Sequence, residues 1–185
     1  DGECHPLPIP FLLLATQSPI DFEGTYVLPE AQLDRFMLKF SLGYPDHETE
    51  KRMLFSQANG HPLDRLEPVT DIAQIVRIQN NVRAVHVDDA VADYVVSLAR
   101  KTREHPAVFL GASPRATIAF LNASKAFAYL QGRDYVIPDD IKYLLPYVFG
   151  HRIILHSEAR IDGVSLDAVF QSVLQQVKVP VLLEK

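Results

Sequence analysis

Gly24-Thr25-Tyr26-Val27-Leu28-Pro29-Glu30-Ala31-Gln32-Leu33-Asp34-Arg35-Phe36 is the stretch that decides the fold. Upstream of it lies an apolar run, Phe11-Leu12-Leu13-Leu14-Ala15-Thr16, with Gln17-Ser18-Pro19 as a polar exit. The run shows no alternation, the pattern of a central strand covered on both faces. Pro29 suits the opening of a short helix over residues 30–34, because its missing N–H falls where a helix has a free donor anyway. The pair Asp34-Arg35 ends that helix. Residues 37–42 then alternate enough to form a last strand, which Gly43-Tyr44-Pro45 breaks. A buried strand, a polar exit and a charged pair closing a short helix is how a nucleotide-hydrolysing sheet presents its sensing residues. No Gly-rich phosphate loop ending in Gly-Lys-Ser/Thr occurs in the 185 residues. The expectation is the back half of an ATPase.

After Pro45 the pattern turns helical. Helices are predicted over residues 46–59 and from Thr70 as N-cap, the latter with Ile72, Ile75, Ile78 and Val82 as its core stripe. Asp88 or Asp89 caps the next, with Val91, Tyr94, Val95 and Leu98 inward. Ser113 caps a helix begun by Pro114, with Ala116, Ala119, Phe120, Ala123, Phe127 and Leu130 on one side and Gly132 closing it. Pro138 opens another, bearing Ile141, Leu144, Leu145 and Val148. Ile137 is a poor cap for it, while Asp139 and Asp140 suit its first turn. A final helix buries Leu166, Val169, Phe170, Val173, Leu174 and Val177. Residues 85–87 and Tyr135-Val136 are expected to pair as a two-stranded staple.

Three collinear blocks carry a resemblance. Ala15-Thr16-Gln17-Ser18-Pro19 with Glu23 through Phe36, then Leu110-Gly111-Ala112-Ser113-Pro114-Arg115-Ala116, then Gly132-Arg133-Asp134-Tyr135-Val136-Ile137-Pro138-Asp139-Asp140-Ile141 are similar to the MoxR family of AAA+ ATPases. The resemblance spans residues 7–160. It implies an α/β remnant of a P-loop NTPase sheet domain followed by an all-α helical lid domain. Residues 1–44 would be the C-terminal part of the AAA+ αβα core and residues 45–185 the lid.

Arg35 offers rigid, permanently charged donors suited to phosphate oxygens. On residue chemistry alone a local Asp34–Arg35 or Glu30–Arg35 surface pair is the plainer reading. The resemblance implies instead the arginine finger, reaching a neighbouring subunit's nucleotide. Arg115, in the first turn of a helix, faces the positive end of the dipole; a bound anion would account for it, and an exposed arginine with no role is the plainer reading on residue chemistry alone. It falls where the family has its sensor-2 arginine, which contacts the γ-phosphate from the lid. Ser18 stands where the family has an Asn that helps hold the attacking water. A hydroxyl carries one donor against the amide's two, so slow hydrolysis is expected.

The resemblance further implies ATP and Mg²⁺ in the full-length parent, neither tightly held by this chain alone. It also implies a homo-oligomeric, hexameric ring with a protein client, acting in chaperone-like remodelling or metal-cofactor insertion. A non-catalytic helical interaction module is the alternative. Composition is compatible with both: 48% apolar and 22% charged residues indicate a folded chain. The net charge of −5 gives no electrostatic reason to expect nucleic acid. The single Cys4 excludes an intrachain disulfide and fits a reducing, cytoplasmic setting. No apolar run approaches the ~18 residues of a membrane span. The histidines form no metal set, and no Gly-x-Ser-x-Gly elbow is present.

Overall fold

The computed structural model describes residues 2–17, 28–57 and 62–181. The chain divides into two compact units, Asp1–Leu13 with Phe40–Gln79, and Leu14–Lys39 with Asn80–Lys185.

The first unit holds helix α2 (His47–Gln57), a 3₁₀ turn (Pro62–Arg65) and the start of α3 (Ile72–Ala84). Asp46 caps α2 by accepting the Thr49 N–H at 2.7 Å, a bond that holds its carboxyl below the usual range. The cap of α3 is Asp71, which accepts the Gln74 N–H at 2.7 Å, and not the expected Thr70, whose hydroxyl bonds the Gln74 side chain. The expected core stripe of α3 is corrected too. Ile72 and Ile78 are exposed and Ile75 and Val82 only half-buried among the described residues.

The strands expected over residues 11–16 and 37–42 are not formed. Residues 11–17 are exposed. A strand exists only through its ladder, and the described residues give these runs no strand partner. The architecture is that of a helical lid after the remnant of a sheet domain, with the described part of the remnant carrying no strand.

The second unit contains α1 (Glu30–Leu33), α4 (Asp89–Glu104), β1 (Val108–Leu110), α5 (Pro114–Leu130), α6 (Pro138–Phe149), β2 (Ile154–Leu155), α7 (Ser157–Ile161) and α8 (Leu166–Gln176). Caps fall where side-chain chemistry puts them: Asp88 on Ala90 N–H, Ser113 on Ala116 N–H and Ser165 on Ala168 N–H. The expected staple is a single parallel bridge between His86 and Tyr135. The antiparallel pair β1–β2, with Val108 opposite Leu155, was not foreseen in the sequence pattern.

The core joins Val91, Tyr94, Val95 and Leu98 of α4 to Ala116, Phe120 and Ala123 of α5. Ile141, Leu145, Val148 and Phe149 of α6 and Val169, Phe170 and Val173 of α8 complete it. α5 packs most extensively on α6. Alanines on its inner face allow the approach, and Phe120 meets Phe149 edge-on at 4.9 Å between ring centres. Leu130, expected inside, is exposed, because the chain turns away just beyond it. Gly132 makes that turn at φ +74°, and the Arg133 N–H returns to the Ala128 carbonyl at 2.9 Å.

Candidate functional site

The single turn of α1 ends at Asp34, with Arg35 and Phe36 N–H groups bonded back to the Gln32 and Leu33 carbonyls. Asp34 is largely covered; Arg35 is exposed. Beyond them the backbone bends, and Lys39 N–H donates to the Tyr147 carbonyl of α6 at 2.9 Å.

Arg152 dominates this corner. It follows α6 by three residues, and its side chain is 2% exposed. Its Nε donates to Asp34 Oδ1 at 2.9 Å and its Nη2 to the Asp34 carbonyl at 3.0 Å. Nη2 also donates to the Phe36 carbonyl, and Nη1 to the Met37 carbonyl at 3.2 Å and to that of Val148. Burial lowers the pKa of this guanidinium, and Asp34 opposes the shift. Arginine stays charged at such a site, and every donor direction is used. The neighbouring His151 donates from Nε2 to the Phe36 carbonyl at 3.0 Å. That bond fixes the neutral tautomer and leaves the buried Nδ1 without a partner among the described residues. Burial first, then Arg152 and Lys39, push its pKa below the ordinary 6.5, against the Phe36 carbonyl and Asp34.

Two further groups from the start of α5 converge on Asp34. Ser113 Oγ, while capping α5, donates to Asp34 Oδ1 at 3.4 Å. The Arg115 guanidinium stands 4.0 Å from Asp34 Oδ2 and is 63% exposed. A loose, solvated contact of that kind is worth about 0.2–1 kcal/mol. It leaves a free-standing cation at the N-terminus of a 17-residue helix, a donor set suited to phosphate oxygens. The described residues contain no group of three or more His, Cys, Asp or Glu arranged for a metal ion.

The structure therefore brings Asp34, Ser113, Arg115 and Arg152 together. Arg35 stands beside them with no ion pair or side-chain hydrogen bond among the described residues. The local Asp34–Arg35 and Glu30–Arg35 pairs are not made, since Asp34 is already engaged. Ser18 lies outside the described residues. The sequence pattern singles out neither Arg152 nor, beyond its place among histidines that form no metal set, His151. Their signal is two basic residues set in the otherwise apolar run Val148-Phe149-Gly150-His151-Arg152-Ile153-Ile154-Leu155, where a cation must find partners to be buried.

Residues 100–173 match the AAA lid domain, and residues 1–38 match the ATPase family associated with various cellular activities (AAA). Helical lid and core remnant together define a part of an AAA-type ATPase. A crystal structure from Cytophaga hutchinsonii, of a protein thought to be an ATPase, shares the fold with a TM-score of 0.87 at 35% identity, over 95% of this chain and 56% of that one. The protein YeaC of Bacillus subtilis is 46% identical over 98% of this chain and 57% of its own length. Chaperone MoxR1 of Mycobacterium tuberculosis is 37% identical over 97% and 49%. The chain belongs to the MoxR-type AAA+ ATPases and corresponds to their C-terminal part. It spans about half the length of the curated relatives it matches. No helix among the described residues is long and apolar enough to cross a membrane.

Proposed function

We propose that this chain supplies the C-terminal part of an ATP-hydrolysing MoxR-type machine working as a homo-oligomeric, hexameric ring in the cytoplasm. Residues 1–44 complete the core and residues 45–185 form the lid. Arg35 is the arginine finger, acting on the nucleotide of a neighbouring subunit. Arg115 meets the γ-phosphate of ATP from the lid, and Ser18 stands near the attacking water. ATP and Mg²⁺ are the cofactors of the full-length protein. The output is chaperone-like remodelling of a protein client or insertion of a metal cofactor.

One observation carries this reading: Arg35 is exposed and unpaired among the described residues although an aspartate is its immediate neighbour. Arg152 takes that aspartate, which leaves the Arg35 guanidinium available for an outside anion. Supplying positive charge to a transferring phosphoryl group is worth about 10³–10⁵-fold in turnover. In the full-length protein, Arg35→Ala should lower kcat by at least the low end of that range while assembly, read by size-exclusion chromatography, persists. Unchanged turnover in an intact assembly refutes the finger. Arg115→Ala should weaken ATP binding, and Ser18→Asn should speed hydrolysis, each measured in the same protein.

A further inference from the structure

The donors of Arg152 do not end on Asp34 alone. They reach the side chain and carbonyl of Asp34 on one side of Arg35, and the carbonyls of Phe36 and Met37 on the other. Arg35 is the one residue in this four-residue segment that Arg152 leaves untouched. His151 adds a second hold on the Phe36 carbonyl, and the Lys39 N–H ties the segment's exit to α6. Among the described residues the segment has no sheet ladder; its N–H groups return to α1, and these bonds from the end of α6 hold its carbonyls. The fifth direction of the same guanidinium anchors it to Val148 of α6 itself. A buried cation that spends four bonds on one short segment is poorly explained by stability alone, since a well-packed apolar residue would serve as well or better.

We infer that Arg152 is the positioning residue for Arg35. It holds the backbone on both sides of the exposed arginine so that the guanidinium projects from a fixed base. Because Arg152 belongs to the lid, the direction of Arg35 follows the end of α6. A lid that shifts on its own nucleotide would thereby re-aim the arginine offered to the next subunit. The inference rests on Arg35 acting as the finger. Lysine cannot replace Arg152, because one ammonium offers a point charge where a planar fork spans several acceptors.

The test is a double-mutant cycle in the full-length assembled protein, with steady-state ATP hydrolysis as readout. Arg152→Ala and Arg152→Lys should each lower kcat on the order of 10²-fold, the scale of a misplaced catalytic group. KM for ATP should stay within about twofold, since a group that acts only in the transition state leaves ground-state binding alone. In an Arg35→Ala background neither change should lower kcat further. Hydrogen exchange at Phe36 and Lys39 should speed, with α4 and α5 unchanged. Should Arg152→Ala fail to fold, Asp34→Ala supplies the same comparison, since it removes the side-chain hold and leaves the backbone carbonyls in place. Losses that multiply in the double variants, a raised KM, or an unaltered kcat overturn the positioning role while Arg35→Ala alone still slows turnover. If Arg35→Ala itself changes nothing, the finger falls and the role of Arg152 falls with it.

Discussion

The turn after α5 and the segment after α1 each contain an arginine–aspartate pair, and the two pairs are built to different ends. In the turn, Arg133 and Asp140 meet through two parallel bonds of 2.8 and 2.6 Å, seven residues apart. Asp140 is 3% exposed and also accepts the Ile137 N–H, which supplies the helix start that Ile137 cannot cap with its own side chain. Asp140 raises the Arg133 pKa, chiefly by hydrogen bonding. That pair is local: its two remaining bonds go to the Tyr135 carbonyl and the Ile137 N–H of the same turn. In the segment after α1, the aspartate is shared among Arg152, Ser113 and Arg115, and the arginine spends most of its bonds on backbone. One pair locks a local turn. The other holds a segment in place and meets only a loose, solvated cation on the second oxygen of its carboxylate.

The sharpest way to break the contrast is to empty each pair in turn. Asp140→Ala strands a largely buried guanidinium and frees the start of α6, and should cost about 3 kcal/mol, the low end for a broken buried pair. By the usual scaling for a chain of this size that is about 6–12 °C in Tm. ATP turnover per folded molecule of the full-length protein should not change, and a large loss there would erase the distinction between the two pairs. Asp34→Asn should cost less, about 1–3 kcal/mol, because the backbone bonds of Arg152 survive. A thermal melt showing it as costly as Asp140→Ala would mean that this region, too, is chiefly structural. Ser113→Ala removes a helix cap and one bond to Asp34 and should cost about 1 kcal/mol by denaturant titration.

Acidification separates the regions without mutation. His151 has a pKa below its ordinary 6.5 in the folded protein, so around and below that pH the unfolded chain binds the extra proton first. Its contribution is therefore complete above about pH 6.5 and is lost as pH falls toward the folded value. Wild-type Tm should decline from pH 7 to 5.5, and His151→Gln should flatten that decline; a parallel curve for the variant would exclude His151 as its source. The smallest effect belongs to Arg115→Ala, whose exposed contact with Asp34 should change stability by no more than about 0.5 kcal/mol. A large loss of Tm would show that Arg115 is part of the fold.

The helices of the second unit were legible because an amphipathic helix needs only its own register to declare its inner face. Val91, Tyr94, Val95 and Leu98 follow that rule, as do Phe120 and Ala123, and all are buried. The run Phe11-Leu12-Leu13-Leu14 obeys a different rule. It reads as a strand, but pairing decides whether it becomes one, and the pattern does not name the partner. β1 and β2, at three and two residues, are too short to carry a period. The same limit hid Arg152. Charge in an apolar run shows that a partner must exist; only the folded chain shows that it is Asp34.

The separation between those two residues has a kinetic meaning. Arg133 and Asp140 close a loop of seven residues, whereas Asp34 and Arg152 close one of 118. Loop closure alone makes the longer link roughly 2.5 kcal/mol harder to form. The turn after α5 can therefore set while the chain is still collapsing. The clasp around Arg35 waits until both ends are in place, and is released before the helices part. Asp34→Asn should speed unfolding and leave the folding rate almost untouched, with a φ-value near zero, while Asp140→Ala slows folding. A molecule at the first stage of unfolding would keep its helices and lose the bonds that Arg152 makes to residues 34–37.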